Sequence, residues 1–321
     1  MINNYQYFIA LADTLNISKA AKRLFVSHQC LSRYIKTLEQ TYGTTFFERS
    51  PRLSLTPAGQ AYLKAVRQIQ MIETNLESEI SDIRQSKQGV LRFGTTSGRY
   101  RILVPDAIAA FKQLYPEVTL DVTYSADSTQ LCEHILKNEM DIALLNKNLL
   151  QSEQLNLQTV LRERFFLVIT DAMLMKYFPD DYPACKKKFE KGVNLKDFEQ
   201  IPFVVSQRNQ HTRIVLEPFL RDHAINLNFV LELPEVDLQI VMTQKNYAAS
   251  FCWSMFLPTI RKLNEEAGEA HLNYYPVRDW SMINEVVVVT KKDKILPEYG
   301  RKLIGIFQMQ CLQFANSYEE T

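Results

Sequence analysis

Three short amphipathic segments follow one another at the start of this chain with no proline to separate them, the first proline being Pro51. Tyr5, Phe8, Ile9 and Ala12 recur at three- and four-residue spacing and predict a first helix. Ser18 is read as the cap of a second helix, whose Ala20, Ala21 and Leu24 face inward; side chains this small let two helices approach closely. Val26 breaks the run and Ser27 caps a third helix, with Leu31, Ile35 and Leu38 as its apolar stripe and Tyr34 on the flank. His28, Gln29, Ser32, Arg33 and Lys36 occupy the opposite face, which holds no acid before Glu39. Each of them can donate a hydrogen bond to a base edge or a phosphate. A helix of this kind, entered through a tight turn, suits the recognition element of a helix-turn-helix, its N-terminal half in a major groove. The competing reading is the solvated face of an ordinary helical bundle.

The next residues favour the first reading. Gly43 ends the third helix, and Phe46 and Phe47 supply an apolar plug. Residues 48–52 form a turn-rich ribbon, and Leu53, Ser54 and Leu55 alternate like a brief strand. Arg49 and Arg52, beside that ribbon, are placed to reach phosphates or a minor groove, as a wing does. Thr56-Pro57 combines a cap with proline at the first helical position, a strong helix start. Charge agrees with this division. Residues 1–60 hold seven Lys and Arg against three acids, a balance of +4 within a chain whose net charge is +1. A basic head on a slightly acidic body suggests that the two ends meet different partners.

Beyond Ala58, apolar residues recur at Tyr62, Val66, Ile69, Ile72, Leu76, Ile80 and Ile83, spaced by three and four. A helix with one narrow stripe needs something to bury it. A second copy of the helix and this chain's own body are both candidates.

From Val90 the periodicity changes. Short apolar strands at Val90–Gly94, Val118–Tyr124 and Asp141–Leu145 alternate with helical stretches from Leu103 to Leu114 and from Ser128 to Asn138. Phe165–Thr170, Phe203–Ser206, Phe229–Leu233, Ala248–Phe251 and Val286–Thr290 continue the pattern. Such alternation predicts an α/β fold with a largely parallel sheet. Ligands of such sheets bind beyond the carboxyl ends of strands, where helix N-termini offer free N–H groups. The candidate site is therefore the hydroxyl-rich segment Thr95, Thr96, Ser97, Gly98 and Arg99, with Ser125 and Ser128 in the next loop and Phe203, Ser206, Gln207 and Arg208 in a third. Hydroxyls, N–H groups and arginine suit a carboxylate or another small anion. Ordinary helix capping accounts for the same residues, and Arg99 and Arg208 equally suit surface acids. His211 is read as a solvent-facing loop residue.

Several classes are excluded. With 46% hydrophobic and 23% charged residues over 321, the chain is neither disordered nor fibrous. No apolar run approaches the roughly 18 residues of a membrane span, and no export signal opens the sequence, so the cytoplasm is the expected location and no membrane partner is expected. The five cysteines, without a CxxC, predict reduced thiols, and the five scattered histidines, without HExxH, predict no metal site. No phosphate-binding glycine motif and no nucleophile–base pair point to catalysis, so neither a cofactor nor a catalytic residue is assigned. An enzyme or receptor on the same α/β module is the alternative class; a receptor for transport would need an export signal, and a DNA-bridging protein would not need so large a second module.

The order of residues in the head resembles the LysR-type transcriptional regulators. The resemblance rests on Phe8 and Ala12, Ser18-Lys19-Ala20-Ala21-Lys22-Arg23-Leu24, Val26-Ser27, Leu31-Ser32-Arg33, Ile35-Lys36, Leu38-Glu39, Gly43, Phe46-Phe47, Arg49 and Leu55-Thr56-Pro57-Ala58-Gly59. It continues in Leu91-Arg92-Phe93-Gly94, Leu103-Val104-Pro105, Phe111, Tyr115-Pro116, Val118-Thr119-Leu120, Leu131, Leu136, Met140-Asp141-Ile142-Ala143 and Pro202. Three departures stand out: His28-Gln29 replaces the family's usual Gln-Pro, residues 172–196 are long and lysine-rich, and Asn246 to Trp253 replaces a Gly-x-Gly segment. The lysines of the second are read as solvated surface rather than a partner site.

The resemblance implies a winged helix-turn-helix over residues 1–58, a linker and dimerisation helix over 59–88, and a periplasmic-binding-protein-like effector domain over 89–321. Its lobe I would comprise about 89–163 and 269–321, and lobe II about 164–268. It implies a sequence-specific regulator that binds double-stranded DNA through Ser18, Ser27, His28, Gln29, Ser32, Arg33, Lys36, Arg49 and Arg52, with a small-molecule effector between the lobes. A homodimer, a dimer of dimers as in many relatives, and RNA polymerase as a further partner follow from the same resemblance.

Overall fold

The computed structural model describes residues 4–50, 52–84, 87–125, 128–150, 152–266 and 270–319. Pro51 of the expected ribbon and Ser86 at the expected close of the linker lie outside them. The chain divides into two compact units, Met1–Gln85 and Ser86–Thr321.

The first unit holds α1 (Tyr5–Thr14), α2 (Ile17–Arg23), α3 (His28–Tyr42), β1 (Phe47–Glu48), β2 (Ser54–Leu55) and α4 (Pro57–Ile83). Phe8 of α1 is fully buried at its centre, with the rings of Tyr62, Phe47 and Phe46 at 4.6, 5.0 and 5.6 Å. The two phenylalanines of the plug thus lock α1 to the start of α4. Local chemistry sets most of the boundaries. The Ser27 hydroxyl accepts from the Cys30 N–H at 3.1 Å, Gly43 leaves α3 with a φ of 64°, and the Thr56 hydroxyl accepts from the Gly59 N–H at 3.0 Å ahead of Pro57. β1 and β2 pair antiparallel, Phe47 opposite Leu55, and form the short wing.

One cap differs from expectation. Asn16, not Ser18, caps α2, its side chain accepting from the Lys19 N–H at 3.0 Å. Leu15, left-handed at φ 45°, turns the chain so that Asn16 takes the extended cap conformation, and Ser18 falls inside the helix, exposed.

The second unit contains β3 (Gly89–Thr96), α5 (Ser97–Leu114), β4 (Val118–Ser125), α6 (Ser128–Leu136), β5 (Ile142–Asn146), β6 (Leu155–Glu163), β7 (Phe165–Thr170), α7 (Asp171–Tyr177), α8 (Ala184–Phe189), β8 (Pro202–Val205), α9 (His211–Asp222), β9 (Asn228–Glu232), α10 (Val236–Gln244), β10 (Ser250–Trp253), α11 (Leu257–Glu266), β11 (Leu272–Pro276), β12 (Asn284–Lys291) and α12 (Glu298–Glu319). Its larger sheet has the order β4-β3-β5-β12-β6. A second sheet has the order β10-β7-β11, and β8 pairs with β9 beside it, Phe203 bridging to Ala249.

The sheets are mixed rather than largely parallel. β3 lies parallel to β4 and β5, but β12 runs antiparallel to β5 and β6, and β7 antiparallel to β10 and β11. The physical reason is the crossing. The chain leaves the first sheet at Glu163 and enters the second at Phe165, with Arg164 alone between, so β6 and β7 serve different lobes. Arg164 is held there by Ser254, whose hydroxyl accepts from the Arg164 N–H at 3.2 Å and whose own N–H donates to the Arg164 carbonyl at 2.9 Å. Because β11 pairs with β7, the return to the first sheet falls between Pro276 and Asn284, not near 269.

The lysine-rich stretch is a packed pair of helices with a solvated face. Cys185 and Phe189 are buried, Lys186 pairs with Asp171 at 2.7 Å, and Lys187 and Lys188 are exposed.

Candidate functional site

The first unit presents α3 outward. Ser27, His28, Gln29, Arg33 and Lys36 are exposed and Ser32 is half-buried, while Leu31 and Ile35 on the opposite face are buried. Arg49 and Arg52 stand exposed in the connection between β1 and β2, and Ser18 lies exposed on α2. Phe25, left-handed at φ 56° in the turn between α2 and α3, is 96% exposed.

The stripe on α4 divides into two parts. Tyr62 and Val66 are buried in the first unit's own core and Ile69 packs against it. Ile72, Leu76, Ile80 and Ile83 are exposed, by 67, 54, 38 and 81%. The chain's own body therefore covers the first part of the stripe and leaves the second part exposed.

In the second unit a cleft opens between the two sheets. Four helix starts line it: Ser97, Gly98 and Arg99 of α5, Ser128 of α6, His211 and Thr212 of α9, and Val236 of α10. The residues preceding α5, α9 and α10, namely Thr96, Gln210 and Glu235, make no side-chain cap hydrogen bond. First-turn N–H groups and helix dipoles thus face the cleft without a capping acceptor, an arrangement that attracts an anion. Trp253, Met255 and Phe256 supply an apolar wall. The space is about 90 Å³.

Beneath the cleft lies a buried polar network. The Arg99 guanidinium donates to Asn146 Oδ1 at 2.5 Å, to Glu163 Oε2 at 3.1 Å and to Thr96 Oγ1 at 3.1 Å. Asn284 Nδ2 donates to the same Glu163 oxygen at 2.6 Å and to Asn146 Oδ1 at 3.0 Å. Burial pushes the Glu163 pKa up, while Arg99 and Asn284 pull it back.

The sequence-based candidates separate in this geometry. Thr96, Ser97, Gly98, Arg99, Ser128 and Ser206 line the cleft. Thr95 does not: β3 continues to Thr96, and strand alternation turns Thr95 into the core, where its hydroxyl donates to the Leu144 carbonyl at 3.0 Å. No loop separates β3 from α5, so the expected hydroxyl-rich loop is a strand end meeting a helix start. Ser125 stands outside the cleft, donating to Gln130 at 3.0 Å. Phe203 is a core residue stacked 5.1 Å from Phe251, and Gln207 and Arg208 are exposed beyond the lining. Arg99 pairs with a buried acid, not a surface one. His211 is not a solvent-facing loop residue; it begins α9 and its ring stacks on Trp253, 5.6 Å away. The chain pattern missed Asn146, Gln210, Glu235 and Trp253, although Asn146 ends a strand as Thr96 does.

Among the described residues no helix is long and apolar enough to cross a membrane, and no cluster of His, Cys, Asp and Glu suits a metal ion.

Comparison with known proteins gives the class. Residues 2–60 match the family of bacterial regulatory helix-turn-helix proteins of lysR type, and residues 84–311 match the LysR substrate binding domain. Such a chain is a DNA-binding transcriptional regulator with an effector-binding domain, not an enzyme. It belongs to the LysR family. It is 27% identical to the HTH-type transcriptional activator CmpR of Synechocystis sp. over 237 residues, 72% of each chain. It is 25% identical to the HTH-type transcriptional regulator AlsR of Bacillus subtilis over 254 residues, 78% of this chain and 79% of that one. Among solved structures, a full-length OxyR variant from Pseudomonas aeruginosa superposes with a TM-score of 0.64 at 16% identity, covering 95% of this chain and 92% of that one. Full-length CbnR complexed with its target DNA gives 0.51 at 17%, covering 95% and 97%. At these identities both structures speak for the fold.

Proposed function

We propose that α3 and the wing read an operator, that the exposed half of the α4 stripe pairs two copies, and that a small anion in the cleft regulates the pair. In the head, Arg33 and Gln29 read base edges, Ser32 and His28 support them, and Ser27, Lys36, Arg49, Arg52 and Ser18 contact phosphates. The complex of CbnR with its target DNA supports this assignment by likeness of fold. Pairing through Ile72, Leu76, Ile80 and Ile83 brings two heads to a two-part site, and the protein acts in the cytoplasm, where that DNA lies. The observation that carries the effector reading is the convergence of four helix N-termini, three without a capping side chain, on one cleft. A ligand there favours one lobe geometry over another and so shifts the pair's affinity for DNA.

Footprinting of the purified full chain, first on the DNA beside its own gene and then on genome-wide selected fragments, over a salt series, tests the reading. Two protected patches separated by whole helical turns, weakening as salt rises, are expected. Absence of specific protection on every selected fragment would reject it.

A further inference from the structure

His211 lies in the cleft with its polar atoms unused. Its ring is stacked on Trp253, and Trp253 is itself fixed, its Nε1 donating to Thr212 Oγ1 at 3.0 Å. Both ring nitrogens are shielded from solvent and form no hydrogen bond of normal geometry. Burial and the Arg99 charge lower the His211 pKa to about 4, with the nearby Asn284 amide acting in the opposite sense. A neutral imidazole has one donor and one acceptor nitrogen.

Two other orphans stand close by in the network. Asn284 Nδ2 serves Asn146 and Glu163, which leaves Asn284 Oδ1 as a buried acceptor without a donor. Arg99 has its Nη atoms engaged and its Nε buried without an acceptor. Buried polar atoms left this way are costly and mark places where a partner belongs. The Asn284 oxygen, whose side chain already acts on the His211 pKa, is the nearby acceptor suited to one imidazole N–H. The other imidazole nitrogen then remains as an acceptor, and Arg99 Nε with the helix N–H groups as donors.

We propose that His211 selects the effector: a small carboxylate carrying a hydroxyl or amino hydrogen-bond donor on the carbon beside it. The carboxylate sits at the helix starts and Arg99 Nε, and its donor meets the free imidazole nitrogen. This rests on the cleft being a small-anion site. A carboxylate without the donor leaves the His211 acceptor desolvated and unpaired, which is how the selection arises.

The test uses the full chain and three ligands of one carbon skeleton: propionate, lactate and alanine. Binding is followed by calorimetry and by the fluorescence of the two tryptophans, Trp253 and Trp280. Lactate or alanine is expected to bind about tenfold tighter than propionate, the value of one well-made hydrogen bond. Whichever is preferred separates a hydroxyl from an ammonium donor. His211→Phe keeps the stacking on Trp253 and is expected to bring all three ligands within about twofold of one another, since it removes the bond made by lactate or alanine and also the unpaired acceptor that propionate meets. His211→Gln, with its own donor and acceptor, is expected to retain the preference. Equal binding of all three by the wild type, or a preference that survives in His211→Phe, overturns the selection while leaving the anion site intact. No saturable binding of any of the three overturns the anion site itself, and the proposal with it.

Discussion

Arg99 at the start of α5 and Glu163 at the end of β6 form a buried ion pair of 3.1 Å, with the acid wholly shielded from solvent. The pair joins the cleft floor to the place where the chain crosses between sheets, since Arg164 follows Glu163 and is the only residue before β7. It also neutralises Arg99, the one arginine lining the cleft among the described residues, so attraction for an anion there comes from helix N-termini and uncapped N–H groups rather than from net side-chain charge. A ligand seated on the first turn of α5 therefore touches the residue that holds the crossing.

Breaking the pair on one side is predicted to be worse than removing it. Glu163→Ala leaves Arg99 buried and unpaired, and a loss of about 3–5 kcal/mol in urea unfolding is expected. Arg99→Met combined with Glu163→Met is expected to recover a large part of that loss. A double variant as unstable as Glu163→Ala would show that the network's hydrogen bonds, not charge compensation, dominate.

Acid is predicted to destabilise the second unit through His211. Its pKa is lowered from 6.5 to about 4, so the unfolded chain binds the proton first as pH falls. The stability contributed by the neutral ring is complete above about pH 6.5 and is lost progressively toward pH 4, by up to about 3 kcal/mol. Urea midpoints for wild type and His211→Phe across this range test it. A wild-type slope no steeper than that of His211→Phe would contradict it.

The exposed half of the α4 stripe is predicted to hold the dimer. Leu76→Lys together with Ile80→Lys places charges in the proposed seam, and sedimentation at micromolar concentration is expected to show monomers. Because both side chains are exposed in the single chain, its circular dichroism should be unchanged. A dimer of wild-type affinity would mean that α4 is not the interface.

Legibility in the sequence follows the range of the forces. Ser27, Gly43 and Thr56-Pro57 mark helix ends by contacts within three or four residues, so α3 and the start of α4 could be placed from the chain alone. Asn16 and Ser18 are both good caps two residues apart, and only the left-handed turn at Leu15 decides between them. Thr95 and Thr96 are chemically alike, and strand alternation sends one into the core and the other into the cleft once the end of β3 is known. Asn146, Glu163 and Asn284 come from three strands far apart in sequence, joined by an antiparallel pairing that alternation of strands and helices did not announce. His211 follows the polar Gln207–Gln210 stretch and so resembled a loop residue; its place in the cleft comes from Trp253, 42 positions later.

The central claim is that α3 chooses sequence while the surrounding basic residues supply unspecific affinity. Its most direct test is the ratio of specific to non-specific DNA affinity for wild type and Arg33→Ala, measured at one salt concentration on the selected operator and on scrambled DNA. The ratio is predicted to fall by about tenfold or more, the worth of one bidentate base contact, with non-specific binding changed far less. An equal loss on both DNAs, leaving the ratio intact, would contradict it.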